Sequence, residues 1–113
     1  MTESPMKSAA LELAAHKITV NAVIPGLINT ALTRHEDRYA QAIAEAGGSP
    51  SGDPAQDERT AIELLKKKTP LGVPWLEPED VAPLVVFLAS DQAGMVSGTS
   101  FAVTGGDSAH VTA

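Results

Sequence analysis

The stretch Ile18–Leu32, with the sequence ITVNAVIPGLINTAL, constrains the fold more than any other part of the chain. Its first half is an apolar run rich in β-branched residues, which is typical of a strand buried on both faces of a parallel sheet. The run stops at Pro25-Gly26, because proline cannot donate to a sheet ladder and glycine permits a sharp turn. Open α/β sheets bind ligands in the loops that leave the carboxyl ends of such strands. We therefore predict a core strand, Ile18–Ile24, that leads into a ligand-facing loop.

Composition limits the partners that this chain can have. Its 113 residues suffice for one modest domain, and its formal net charge of −6 argues against a nucleic acid or an anionic membrane as partner. The lack of cysteine excludes disulfides and thiolate chemistry. The first residues lack the apolar core of a signal peptide, and no run of about 18 apolar residues could span a membrane. These features predict a cytoplasmic protein.

Periodicity and turn signals divide the rest of the chain. We expect helices at Ser4–His16, Ala31–Ala46, Pro54–Lys68 and Pro78–Ser90, and a second strand at Thr99–Thr104. Ser4 and Thr30 are the expected N-caps of the first two helices. In the second helix the apolar stripe is Leu32, Tyr39, Ile43 and Ala46, and the solvated face is Arg34, Glu36, Asp37 and Arg38. Gly47–Asp57 is expected to be a mobile loop, and Trp75 is expected to cover apolar surface rather than to contact a ligand.

Two strands far apart in sequence, with helices between them, should pair in parallel through a crossover. The predicted fold class is therefore α/β, with two parallel strands and about four helices. A sheet of two strands has both edges open, and open apolar edges recruit other chains. We expect the chain to form a homo-oligomer or to associate with a complementary chain.

Two segments carry a resemblance to the short-chain dehydrogenase/reductase family. They are AALELAAHKITVNAVIPGLINTAL and TPLGVPWLEPEDVAPLVVFLASDQAGMVSGTSFAVTGGD, in this order and at this spacing. They resemble the C-terminal part of the family, of the carveol-dehydrogenase-like type whose tails end in a GGDSA-like segment. The resemblance implies that residues 1–113 are a single incomplete domain, the C-terminal portion of a Rossmann-like, doubly wound parallel sheet. Residues 31–75 would form the substrate lobe, where family members vary.

The resemblance also implies a cofactor and roles for the loop after the first strand. The cofactor would be NAD or NADP, exchanging a hydride with a small alcohol or ketone. Pro25 and Gly26 would form the turn beside the nicotinamide, and Asn21 would brace this loop. Ile28 would offer backbone groups to the carboxamide, and Thr30 would offer its hydroxyl to the carboxamide or the pyrophosphate. Taken alone, Pro-Gly after a strand is also an ordinary turn, and Thr30 an ordinary helix cap.

The family's remaining chemistry is not found in these 113 residues. They contain neither GxxxGxG nor GxGxxG, and the only tyrosine, Tyr39, is followed four residues later by Ile43 rather than lysine. Lys7 has Glu3, not tyrosine, four residues before it. No catalytic residue is therefore assigned, and the isolated chain is expected to be inactive. The three histidines lack metal-ligand spacing, so no metal site is expected.

Two interpretations stay open besides a segment of an oxidoreductase. One is a non-catalytic remnant or interaction module that oligomerises through its last helix, last strand and open sheet edge, since in the family these elements commonly form a subunit interface. The other is a truncated product of a longer gene. The substrate lobe has little sequence pattern, so it does not identify the substrate. In the family, the residues near the adenine ribose that distinguish NAD from NADP lie in the N-terminal half, which these 113 residues do not include.

Overall fold

Helices and short strands follow one another along the chain in the order expected of an α/β protein. The structure, a computed structural model, describes residues 3–110, without the side chains of residues 3 and 4. Its α-helices are α1 (Glu3–Leu13), α2 (Glu36–Glu45), α3 (Pro54–Lys68) and α4 (Pro78–Leu88), and its strands are β1 (Ala22–Pro25) and β2 (Ser100–Val103). Single 3-10 turns lie at Ala14–His16, Asp91–Ala93 and Asp107–Ala109. Among the described residues, no helix is long and apolar enough to cross a bilayer.

Contacts divide the chain into two compact units. The first takes the chain up to Pro25 together with Glu79–Val103, and the second takes Gly26–Pro78 together with the chain from Thr104 onward. The first unit therefore holds α1, both strands and nearly all of α4, and the second holds α2 and α3. The single domain expected over residues 1–113 and the lobe expected over residues 31–75 stay predictions.

In the first unit, β1 and β2 pair in parallel, as the sequence predicts. The register aligns Ala22 with Ser100 and Pro25 with Val103. The ladder is shorter than the predicted strand Ile18–Ile24. Before the ladder begins, Val20 is held by single hydrogen bonds, since its carbonyl accepts from the Gly98 N–H at 2.8 Å and its N–H donates to the Ser97 hydroxyl at 3.1 Å. Proline at position 25 is compatible with the ladder because β1 has a single partner strand among the described residues, and edge strands accommodate proline.

The predicted burial of the first strand on both faces is wrong for this structure. Ile24 is 44% exposed and Ile18 is 48% exposed. In the described chain β2 is the only ladder partner of β1, so β1 lies at a sheet edge. The faces of a strand in a parallel sheet are buried by helices that pack on them, and the exposure of Ile24 shows that such cover is incomplete for β1.

Asn21 braces the loop before β2 rather than the turn after β1. Its side-chain Nδ2 donates to the Val96 carbonyl at 2.9 Å, and its Oδ1 accepts from the Thr99 N–H at 3.2 Å. One amide side chain thus supplies both a donor and an acceptor to the same loop. The expected contact of Asn21 with the ligand-facing loop is replaced by this pair of bonds.

Helix α2 begins later than predicted. Its N-cap is His35, whose Nδ1 accepts from the Asp37 N–H at 3.1 Å. Thr30 instead closes the turn before the helix, because the Arg34 N–H donates to the Thr30 carbonyl at 2.8 Å. Leu32 lies in this turn and is 70% exposed, so it is not part of the predicted apolar stripe.

The other helix bounds agree more closely with the sequence. Helix α3 has the predicted bounds, with Asp53 as its N-cap and lysines in its last turn. Helix α1 begins at Glu3, one residue before the expected cap, Ser4, whose side chain lies outside the described residues. Helix α4 ends at Leu88 and continues through Pro83.

The segment between α2 and α3 is held together by one buried carboxylate. Asp57 is 7% exposed, and its Oδ1 accepts from the Ser51 N–H at 2.9 Å and the Ser51 hydroxyl at 2.8 Å. These bonds stabilise the ionised form, so they lower the pKa of Asp57 although burial acts in the opposite direction. The segment predicted to be a mobile loop therefore contains a defined hydrogen-bonded turn.

Asp57→Asn should reduce the pH dependence of the chain's stability in the acid range. Because the folded pKa of Asp57 is lowered, its charge contributes fully above the unfolded value of about 3.9 and is lost as the pH falls through the folded value. Melting temperatures between about pH 5 and pH 2 should therefore fall more steeply for the wild-type chain than for the variant. The exposed Asp91 provides the control, since Asp91→Asn should keep the wild-type slope. Equal slopes for Asp57→Asn and wild type would contradict this assignment.

Gly105→Ala should destabilise the chain more than Gly72→Ala. Both glycines have positive φ, at +66° and +77°, so alanine is strained at either position. A Cβ at Gly105 would lie 2.6 Å from Thr69 Cγ2, whereas one at Gly72 would meet nothing within 4 Å. Overpacking of this kind costs about 1–3 kcal/mol beyond the shared backbone strain. Urea unfolding measures the difference, and equal losses in the two variants would show that the close approach is not real.

Candidate functional site

The loop that follows β1 has a backbone edge without partners. Its Leu27 carbonyl accepts from the Leu76 N–H at 2.8 Å, and its Asn29 N–H donates to the Leu76 carbonyl at 2.7 Å. In a trans peptide the N–H and the C=O point in opposite directions. The Ile28 N–H and C=O belong to the same two peptide units, so both point away from Leu76. Neither has a hydrogen-bond partner within residues 3–110.

Ile28 therefore presents one donor and one acceptor side by side. A buried or ligand-facing backbone group without a partner is costly, so such an edge is a place where a polar ligand can bind. A primary carboxamide carries the complementary pair, an NH₂ donor and a carbonyl acceptor. Ile28 as a whole residue is half-buried.

The Thr30 hydroxyl takes part in the turn before α2. Its Oγ1 accepts from the Thr33 N–H and donates to the Thr33 hydroxyl, both at 3.4 Å. These bonds are near the upper limit of useful length, so they hold the hydroxyl weakly. Thr30 is exposed, whereas Thr33 is buried.

Pro25 and Gly26, the two residues of the predicted turn, belong to different units. Pro25 is the last residue of β1 in the first unit, and Gly26 begins the second unit. A Cβ at Gly26 would lie 3.4 Å from the Thr104 Cα, which is an ordinary contact, so sterics alone do not require glycine there. Of the four predicted site residues, Gly26, Ile28 and Thr30 lie in one unit, and Pro25 does not.

A cavity of about 260 Å³ opens within the second unit, next to this loop. Gly26 and Leu27 form one side of it. The rest of its wall mixes polar and apolar side chains from the turn before α2, from α2, α3 and the connector before α4, and from the segment after β2. Its apolar part is formed by Tyr39, Ala42, Leu65, Val73, Pro74, Trp75 and Leu76. Arg38, Lys68, Glu45 and Asp107 add two cations and two anions, so the lining has no net charge from these groups. Pockets that bind small molecules usually have volumes of about 300–1,000 Å³, so a cavity slightly below this range suits a small ligand.

Arg34 lies at the centre of a polar cluster beside this cavity. Its Nε donates to the Tyr39 hydroxyl at 3.3 Å, its Nη1 donates to Asn29 Oδ1 at 3.4 Å, and its Nη2 forms an ion pair with Glu58. Its guanidinium also lies over the ring of Trp75, 4.6 Å from the centroid. The bonds to Tyr39 and to Glu58 raise the pKa of Arg34, so its charge is permanent at working pH.

The sequence placed Arg34 on a solvated face, and its side chain is 38% exposed, as predicted. The sequence did not reveal its contacts with Glu58 and Trp75, which lie far from it along the chain. Trp75 was expected to cover apolar surface; it lines the cavity on the one hand and stacks with Arg34 on the other. Tyr39 is 5% exposed, as the apolar stripe predicts, but its hydroxyl also faces the cluster. Within the described residues, no group of three acidic or histidine side chains is arranged to hold a metal ion.

Comparison with known proteins identifies the family. The family model described as enoyl-(acyl carrier protein) reductase matches residues 48–108. The (−)-trans-carveol dehydrogenase of Rhodococcus erythropolis is 32% identical over 102 residues, which are 89% of this chain and 34% of that relative. An acetoacetyl-CoA reductase of Rhizobium meliloti is 37% identical over 100 residues, which are 88% of this chain and 33% of the relative.

The solved structures agree with these relatives. Carveol dehydrogenase from Mycobacterium avium, in complex with NAD, matches with a TM-score of 0.79 at 27% identity, over 96% of this chain and 37% of that one. The chain thus spans about a third of the length of the curated relatives that it matches. The match confirms the Rossmann-type α/β fold class that the sequence predicts. On these grounds the chain belongs to the short-chain dehydrogenase/reductase family.

Proposed function

We propose that this chain supplies the nicotinamide-side loop and the substrate cavity of an NAD(P)-dependent oxidoreductase that interconverts alcohols and ketones. The observation that supports the proposal most directly is the backbone edge of Ile28. Its N–H and C=O have no partner within residues 3–110, and Leu27, next to it, lines the cavity. A ligand that binds this edge is therefore adjacent to a space in which a small molecule can bind.

The residues present fit a nicotinamide. The Ile28 N–H would donate to the carboxamide oxygen, and the Ile28 carbonyl would accept from its NH₂ group. The Thr30 hydroxyl would join them by giving up its long bonds to Thr33. When bound, the cofactor supplies or accepts the hydride. The carveol dehydrogenase from Mycobacterium avium was solved with NAD, which supports a nicotinamide cofactor for this chain.

The chain's own residues would then bind the substrate and exclude water. The apolar wall formed by Tyr39, Leu65 and Trp75 favours a ligand with an apolar body, since burial of apolar area drives its binding. The lining contains two cations and two anions, so its net charge gives no preference for an anionic or a cationic substrate. We assign no proton donor to this segment, because the Tyr39 hydroxyl accepts from Arg34 and no lysine lies four residues after it.

The isolated chain should bind the cofactor's nicotinamide end but should not turn substrate over. With NAD(H) or NADP(H) and a panel of secondary alcohols and ketones, no change in nicotinamide absorbance is expected. Nicotinamide mononucleotide should shift the backbone amide resonances of Leu27–Asn29. Ile28→Pro removes the free N–H donor and should weaken this binding about fivefold, whereas Ile28→Ala keeps the donor and should not. Measurable turnover, or shifts confined to other parts of the chain, would contradict the proposal.

A non-catalytic interaction module is the second candidate function. Helix α4 exposes Val85, Val86 and Phe87, and Val86 is 69% exposed. Within residues 3–110, no further strand pairs with either strand of the sheet in the same unit, so each strand has an open edge. An apolar helix face and an open edge in one unit favour association with a second chain. This role does not exclude the first, because a subunit contact and a cofactor loop use different parts of the chain.

Light scattering on the purified chain should give a mass at least twice that of one chain. Val86→Glu places a charge on the exposed face of α4 and should shift the chain toward the monomer. Leu71→Glu makes the same kind of change at a residue that is 76% exposed in the other unit, and should leave the mass unchanged. A well-folded wild-type monomer would rule out this second function.

A further inference from the structure

We propose that Arg34 is a positioning residue, which fixes the free backbone edge of Ile28 by holding Asn29 and ties that edge to Trp75 in the wall of the cavity. The inference rests on the proposed function, because it concerns the same loop and cavity. It assigns to a residue of the substrate lobe a role in the orientation of the cofactor loop.

Asn29 is the link between Arg34 and Ile28. The Asn29 side chain is held from both ends: its Oδ1 accepts from Arg34 Nη1 at 3.4 Å, and its Nδ2 donates to the two Glu77 oxygens at 3.2 Å and 3.1 Å. Its N–H belongs to the same peptide unit as the Ile28 carbonyl. Since that unit is planar, restraint of Asn29 limits rotation of the carbonyl that we expect to bind the carboxamide.

Trp75 is the link between Arg34 and the cavity. The guanidinium covers one face of the indole at 4.6 Å from the ring centroid, and the indole lines the cavity. A planar guanidinium can stack on an aromatic ring and donate hydrogen bonds at its edges at the same time. Arg34 uses this property fully, because Tyr39, Asn29 and Glu58 accept from its edges while Trp75 lies on its face.

A lysine could not replace these contacts. Its ammonium is a point charge with neither a planar face nor a rigid fork, so it could keep the ion pair with Glu58 but not the other contacts together. The proposal therefore differs from a simple ion pair between α2's preceding turn and α3. An ion pair alone would survive in Arg34→Lys, and the geometry at Asn29 and Trp75 would not.

The test compares Arg34→Met and Arg34→Lys with Arg59→Met in the full 113-residue chain. Arg59→Met removes a cation from an exposed position of α3 and serves as the matched control. Amide resonances report the Ile28 edge, and fluorescence reports the chain's only tryptophan, Trp75. Both Arg34 variants should shift the Ile28 and Asn29 amides and the Trp75 emission without any ligand. They should also raise the dissociation constant of nicotinamide mononucleotide about fivefold, whereas Arg59→Met should change neither.

The outcomes are separable from those of the proposed function. If nicotinamide mononucleotide binds nowhere on the wild-type chain, the proposed function fails, and the ligand-free signals of Ile28, Asn29 and Trp75 still decide the role of Arg34. If folded Arg34→Met keeps the wild-type Ile28 and Asn29 resonances, the inference is overturned. Full recovery of every signal in Arg34→Lys would overturn it as well, because a point charge would then suffice. If Arg34→Met does not fold, Arg34→Lys decides alone.

Discussion

The pair of hydrogen bonds that joins Leu76 to Leu27 and Asn29 is the interaction on which the candidate site depends. Its immediate effect is ordinary, since it fixes a loop against a connector. Its second effect follows from peptide planarity: the two bonded groups determine the direction of the unbonded ones, so Ile28 must present its N–H and C=O on the opposite side. A single residue thus becomes a donor–acceptor pair because its neighbours are paired. The site is built by satisfying the flanking backbone, and no special side chain is required at Ile28.

The sequence predicted those features that local chemistry decides. Helix α3 has the expected bounds because Asp53 caps it and Pro54 can begin it, and both signals lie within one turn. The parallel pairing of the strands follows from chain connectivity alone. The start of α2 was missed because Thr30 and His35 can both cap, and the choice between them depends on a turn that ends at Arg34. The exposure of β1 was missed because it depends on which elements pack around the strand, and periodicity does not reveal them.

The candidate site likewise has some features that the sequence predicts and others that it does not. The loop of Gly26, Ile28 and Thr30 could be found in the sequence, because Pro-Gly after an apolar run marks a strand end and the family resemblance attaches a role to it. The Ile28 edge, however, depends on Leu76, and the Arg34 cluster depends on Glu58 and Trp75. These partners are distant in sequence, so a single sequence contains no spacing that relates them. Arg34 is exposed, as its place among acidic residues near a helix start predicts, but that pattern does not reveal the contacts that it makes.

Charge explains how such a cluster can lie beside a cavity whose charged lining residues sum to no net charge. Arg34 is permanently cationic, and a bare cation at the cavity wall would attract anions. Glu58 forms an ion pair with Arg34, and the guanidinium makes a cation–π contact with the ring of Trp75. The Asn29 amide, which accepts from Arg34, donates in turn to Glu77. The guanidinium is therefore engaged by neighbouring groups, and its charge contributes little to the electrostatic potential at a ligand. Around the cavity, the two cations Arg38 and Lys68 are equal in number to the two carboxylates Glu45 and Asp107. Selectivity at this site would then come from the shape of the cavity and from the backbone pair at Ile28.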